Sequence, residues 1–360
     1  MPDNFKVCNY YRVMAAQDFS GQNVLGQLFR GQNLRNADFS NAVIRMADFR
    51  SAVLRNANFQ GATLEQADLS EADLQMANLE QAKLQFANFQ QANLQEAKLK
   101  GALLQSADLQ KADLQKADLY KAKLSFSNIS YATLQEASLQ RADLRQVNLQ
   151  EATLQRADLS QANLQKAKLI EANLQQANLQ QASLTEAVLY KANLQQANLQ
   201  QANLQQAVLE KANLQQVNFL QADLQSAQLK EANLQMANLQ QASLMSADLR
   251  GADMQNADLY QTKLQFANLK GANLQNANLQ RANFQSTNLQ DADLQGANLI
   301  GTKLQFANLS GANLSGADLS GADLQGTDMR GAKYITPTQV QAAKNWDKAM
   351  YSKEFRAECK

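Results

Sequence analysis

Carboxylates are the first candidates for chemistry in this chain. Asp recurs immediately before an apolar residue, as in ADLQK, and Asp48 and Asp68 stand one behind the other in that pattern. Paired carboxylates can hold a divalent cation or divide acid and base roles. Here the carboxylate occupies a fixed repeat position, so its pairing carries no specificity, and turn hydrogen bonding explains it better. The chain has no histidine, and its two cysteines, Cys8 and Cys359, lie near opposite ends. No nucleophile therefore stands beside a base. Gly296, Gly301, Gly311, Gly316, Gly321, Gly326 and Gly331 keep a period of five, unlike a phosphate-cradling loop. No catalytic, cofactor-binding or metal residues are expected, no cofactor is implied, and the chain reads as a non-enzyme.

A second constellation is apolar and basic. KLQFAN occurs at 83–88, 263–268 and 303–308, with a near copy, KLSFSN, at 123–128. Phe86, Phe126, Phe266 and Phe306 share one place in it. Tyr120, Tyr260 and Ile300 stand one step earlier, before the last three. Exposed apolar side chains beside lysine stems can dock a partner, or can pack on one another and on small neighbours. Phe86, Phe126, Phe266, Phe306, Tyr120, Tyr260, Ile300, Lys263 and Lys303 are the candidate docking residues.

The elements that carry these residues follow from one period. From Leu34 to Tyr334 every fifth residue is apolar, 61 positions without a slip, and the residue two before each is nearly always Ala. On an α-helix, five residues turn about 500°, so the apolar positions would spiral around every face. On a straight strand an odd period would alternate faces. A chain that bends once per pentapeptide avoids both problems. Ala and the following apolar residue point inward, the next two residues turn a corner, and coils stack at about 4.8 Å as parallel strands do.

A(N/D)LXX repeats of this kind resemble those of the pentapeptide-repeat family, in its cyanobacterial type with a C-terminal helical cap. The resemblance spans residues 17–334. It implies an all-β fold, a right-handed four-sided parallel β-helix, or solenoid, with four pentapeptides per coil. About sixteen coils would make a rod on the order of 75 Å long. The steps from Lys83 to Lys123, from Lys123 to Lys263 and from Lys263 to Lys303 are each a whole number of such coils. With four sides available, three such spacings coincide by chance about once in 64.

The ends depart from the repeat. Gln17, Gln22, Gln27 and Gln32 fill the Ala slot of one coil, where their amides are expected to serve unpaired backbone. Residues 1–16, with Phe5, Tyr10, Tyr11 and Met14, are expected to form an N-terminal cap. Residues 335–360 are expected to form a helical C-terminal cap: Thr336, Pro337 and Gln339 make a capping-box start. Val340, Trp346 and Met350 follow at helical spacing, and Ser352 opens a second short helix with Phe355. The tail reads as a lid on the last coil, or as a dimer contact.

On the outside, a Gln recurs once per coil from Gln75 to Gln295. Such a row reads as a stabilising amide ladder, with a carbohydrate- or partner-binding stripe as the alternative. Another side mixes Glu171, Lys191, Glu210, Lys211, Lys230, Glu231, Arg250 and Lys270, which predicts cross-coil pairing. The net charge of +1 recruits neither nucleic acid nor an anionic membrane. No run of about 18 apolar residues suits a membrane helix, and the start, MPDNFKVCNYYRV, lacks an apolar signal core. The expectation is a cytoplasmic, non-catalytic scaffold, monomer or dimer through its C-terminal end, presenting surfaces to an unidentified protein partner. The alternative, suggested by family members that imitate DNA, is a regulator of a nucleic-acid enzyme such as DNA gyrase. That role needs an acidic surface, which the charge balance disfavours.

Overall fold

The computed structural model describes residues 17–359. The expected N-terminal cap, 1–16, lies outside the described residues.

One pentapeptide, Ala202-Asn203-Leu204-Gln205-Gln206, shows how the chain is built. Ala202 and Leu204 are buried, and Asn203 between them faces outward. Asn203 N–H donates to Ala182 C=O of the coil before (2.9 Å), and Leu204 N–H to Asp223 C=O of the coil after (2.6 Å). Gln206 N–H also reaches the coil after, at Gln225 C=O (3.0 Å). Ala207 N–H then returns to Leu204 C=O (3.0 Å), closing a β-turn over Gln205-Gln206. Gln206 has φ of 59°, and a positive φ at the third turn position is type II geometry.

This unit repeats around and along the rod. From Asp18↔Asp38 to Asn313↔Lys333, bridge residues pair in parallel with the residue four pentapeptides on. Four bridge residues per coil give four sides. Each side is a ladder only one residue wide, because the next two residues already belong to a corner. Coil spacing is read from rings stacked one coil apart, whose centroids lie 4.6–4.8 Å apart.

The interior alternates small and large, as the Ala–Leu pattern requires. Toward the N-terminal end a phenylalanine stack, not singled out in the sequence, fills it. Phe19, Phe39 and Phe59 stack on one side, Phe29 and Phe49 on the opposite side, and facing rings meet edge-to-face at 5.5–5.9 Å. Hydroxyls replacing Ala are all bonded to backbone. Ser127 donates to Leu124 C=O and Thr302 to Leu299 C=O within their own turns, at 2.7 and 2.8 Å. Thr262, Thr287 and Thr327 donate instead to Leu239, Leu264 and Leu304 C=O in the coil before, at 2.7–2.8 Å.

At the first described coil, Gln22 Nε2 donates to Asp18 C=O (2.9 Å) and Gln32 Nε2 to Leu28 C=O (3.1 Å). In later coils, carbonyls at these places accept an N–H from the preceding coil. Two of the four glutamines thus serve backbone carbonyls of this coil.

The other end corrects an expectation. Helix α1 (Pro337–Gln341) starts with the expected capping box on Thr336, and α2 (Lys353–Glu358) is capped by Ser352. The apolar spacing from Val340 to Met350 predicts continued helix, but α1 stops at Gln341, and a 3₁₀ turn occupies Trp346–Lys348. The chain drops back instead to pair Lys344 with Asp323 and Met350 with Asp328. Met350 spends its N–H on Thr327 C=O and its C=O on Met329 N–H, both 2.8 Å, so its side chain is exposed rather than packed. Backbone pairing with the last coil outweighs helix continuation, because those coil groups would otherwise face no partner. Val340 is buried, and Trp346 and Phe355 are partly buried against the core. Gln339 Nε2 ties α1 down by donating to Leu314 C=O and Ala317 C=O.

Replacing Phe39 with Ala is expected to cost about 3–5 kcal/mol, read by chemical denaturation. Because each coil contacts only its neighbours, faster amide exchange should be confined to the N-terminal coils. Uniform loss of protection along the rod would contradict this one-dimensional account.

Candidate partner-binding face

Residues that recur once per coil form columns down the rod. The candidate docking residues fall on three adjoining columns. Tyr120, Tyr260 and Ile300 take the corner that begins the side, and all three are half-buried. The lysines take the bridge column, in the runs Lys83–Leu103–Lys123 and Lys263–Asn283–Lys303. The phenylalanines take the αL position of the next corner, with φ of 60–64°.

The rings do not pack on one another. Phe86, Phe126, Phe266 and Phe306 are 63, 60, 68 and 64% exposed. Two coils of about 4.8 Å keep the members of each pair about 9.6 Å apart. One of the four rings lies over a small residue of the next coil. A Cβ at Gly326 would come within 2.7 Å of Phe306 Cδ1, so that ring leans over the glycine of the next coil. The backbone at such a corner points its side chain outward, and an L-residue there cannot fold back over its own strand.

Aromatic and basic groups meet at the preceding corner. Lys100 and Lys121 place their ammonium groups 5.6 and 5.2 Å from the Tyr120 ring centre. Arg281 donates to the Tyr260 hydroxyl at 3.4 Å. On the Phe corner, the side-chain oxygens of Gln85, Gln105, Gln265 and Gln305 are buried without a donor, the full set of such atoms among the described residues.

The glutamine row shows a correction. Amide-to-amide bonds run from Gln155 through Gln175, Gln195 and Gln215 to Gln235, at 3.0–3.4 Å, and link Gln255 to Gln275 at 3.5 Å. Gln95, Gln235 and Gln275 turn instead to Asp113, Asp253 and Asp293, each at 2.6 Å. In each case the Asp sits on the coil after, just before the next glutamine of the row, and the carboxylate takes the amide, since a charged acceptor is the stronger partner. The ladder is therefore segmented rather than twelve coils long. Two further ladders went unread in the sequence: Gln161 to Gln241 at 2.9–3.2 Å, and Gln176 to Gln216 at 2.7–2.9 Å. Their signal was the second corner residue of ANLQQ, hidden by the abundance of that pentapeptide.

The mixed-charge side pairs across coils, as at Lys191–Glu171 (3.3 Å) and Lys211–Glu231 (3.5 Å). Each exposed pair contributes about 0–1 kcal/mol. The repeat Asp residues serve their own turns: Asp108 Oδ1, for example, accepts Gln110 N–H at 3.0 Å. At Asp48, Asp143, Asp248 and Asp328, the Arg two residues on grips both carboxylate oxygens. Those hydrogen bonds hold all four carboxyls below their ordinary value, against the opposing effect of burial. Among the described residues no three His, Cys, Asp or Glu converge as a metal site.

A family model described as pentapeptide repeats (8 copies) matches residues 28–52 and then successive, partly overlapping stretches through 297–333. Among solved structures, the chain is similar to HetL, a pentapeptide repeat protein involved in heterocyst differentiation regulation from Nostoc sp. strain PCC 7120. The identity is 38% over 67% of this chain and 90% of HetL, with a TM-score of 0.30. It is also similar to the pentapeptide repeat protein Rfr23 from Cyanothece 51142, 37% identical over 28% of this chain and 60% of Rfr23, with a TM-score of 0.22. QnrB1, a plasmid-mediated fluoroquinolone resistance protein, is 16% identical over 53% of this chain and 94% of QnrB1, with a TM-score of 0.37. No curated protein matches.

The Asp–Arg clamps set a pH dependence. A carboxyl depressed in the folded state contributes stability above the usual Asp range, and that contribution is lost as pH falls through the folded value. Urea midpoints should therefore fall between about pH 5 and pH 2.5. The quadruple variant D48N/D143N/D248N/D328N should flatten that slope. An unchanged slope would show that the clamps contribute nothing.

Proposed function

The chain belongs to the pentapeptide-repeat family, and from that premise we propose that it is a non-catalytic rod that presents surfaces to protein partners. The observation that carries this reading is the Phe corner. Four aromatic side chains, each at least 60% exposed, stand on one face of a scaffold whose backbone is bonded coil to coil. Soluble proteins seldom leave large apolar groups in repeated array without a use. The candidate residues are Phe86, Phe126, Phe266, Phe306, Tyr120, Tyr260, Ile300, Lys263 and Lys303.

Three finer features complete the proposal. The rod winds right-handed, as in the family. Residues 17–334 form the solenoid and 335–360 close its C-terminal end, a role supported by the pairing of Lys344 and Met350 with the last coil. The carboxylates serve turns and arginine clamps, which supports a structural rather than a chemical use. Imitation of nucleic acid is not favoured, because the net charge is +1 and acidic side chains alternate with basic partners.

The test is the double variant F266S/F306S. Its melting temperature should stay within about 2 °C of the parent, since both side chains are exposed. Proteins cross-linked to the rod in the native cell should be lost. Reduced stability with an unchanged set of cross-linked proteins would remove the docking reading.

A further inference from the structure

The Phe corner holds three kinds of unmet bonding capacity, and together they describe one occupant. Resting on the docking reading above, we propose that each Phe pair seats an acidic protein segment anchored by apolar side chains.

Charge is the first argument. Around Phe86 and Phe126, the two corners and the bridge column between them carry Lys83, Lys100, Lys121, Lys123, Arg141 and Arg145. Three acids, Glu65, Glu80 and Asp143, face these six; Glu65 already pairs with Arg45 of the coil before (3.1 Å), and Asp143 is gripped by Arg145. Around Phe266 and Phe306 stand Lys263, Arg281 and Lys303, with Asp323 at the border. Asp323 accepts Gln305 and Asn345 side chains and has Lys344 nearby. Among the described residues, Lys83, Lys123, Lys263 and Lys303 join no ion pair. Lys166, Lys191, Lys211 and Lys230 each find a glutamate. Lys98, Lys111, Lys116, Lys168 and Lys270 on other columns stand unpaired as well among the described residues, so it is the local excess of cations around the Phe rings that sets these patches apart. Both patches are therefore complementary to carboxylates.

The second argument is the set of buried acceptors. Gln85 and Gln105 belong to one patch and Gln265 and Gln305 to the other, and none of their oxygens has a donor. Backbone N–H groups of a peptide supply such donors once the glutamine side chains, which lie at the surface corner, turn outward to meet them. Exposed phenyl rings supply the third requirement, apolar contact for the segment's own side chains.

The patches repeat as units. Tyr120, Lys123, Phe126 and Arg141 recur seven coils later as Tyr260, Lys263, Phe266 and Arg281. Seven coils span roughly 34 Å. A nucleic acid also suits lysine and aromatic rings, but it tracks a continuous cationic groove. Between the patches, this corner offers the neutral pair Lys166–Glu186 and the bridge column offers Asp223, so no such track exists.

Random phage-displayed peptides of about 16 residues, long enough to cross both rings, would be selected on the full chain. The expected winners are rich in Asp and Glu around two or more apolar residues. A synthetic winner should bind at least about tenfold more weakly to K83E/K123E/K263E/K303E and to the milder lysine-to-glutamine version. A single-stranded oligonucleotide of about 12 nucleotides should not compete. Winners without acidic enrichment, winners that bind the charge-reversed rod equally well, or an oligonucleotide that displaces them would each overturn the proposal. If F266S/F306S loses its cellular partners while acidic peptides fail, the docking reading survives and this one falls.

Discussion

Every coil of the rod depends on one local constraint: the second residue of each corner must sit in the left-handed region. Gln206 at φ of 59° is one instance, and the described glycines share the region at the same step of the period. An L-residue there costs about 1–2 kcal/mol. One pentapeptide recovers this by burying a Leu, about 1.5–3 kcal/mol, and by making three inter-coil hydrogen bonds of about 0.5–1.5 kcal/mol each. The corner is tolerated because the turn aims the next strand piece at the coils above and below.

That constraint also shapes the surface. A side chain at the left-handed position projects away from the rod, so a large apolar residue placed there has nowhere to hide. Phe at this position is therefore a different matter from Phe at the inward position. Phe39 and Phe49 meet edge-to-face inside, whereas Phe266 and Phe306 stand in solvent. The same residue type contributes to stability at one register and to presentation at another.

Neighbouring coils also compete for each other's polar groups. A glutamine amide bonds the glutamine above it until an Asp comes within reach, and then takes the carboxylate. An Arg two residues beyond an Asp closes on it before any other partner. These choices leave the lysines of the Phe face, with few carboxylates in their columns, among the described cations that join no ion pair.

Much of this was legible in the sequence, for a physical reason. A solenoid repeats one environment, so period five in Ala and Leu states which residues are inside, and the whole-coil spacings of Lys83, Lys123, Lys263 and Lys303 state which side each KLQFAN or its near copy occupies. Thr336 and Gln339 announced α1 because a capping box is a local bond pattern. The rest depended on the assembled coils. Exposure of the four phenyl rings, the breaks at Gln95, Gln235 and Gln275, and the burial of unpartnered glutamine oxygens arise between residues a full coil apart in sequence. Met350 is the clearest case: its helical spacing was real, but the unpaired edge of the last coil offered its backbone stronger bonds. Local sequence determines the shape of one coil; only stacking decides which side-chain groups are left with something to bind.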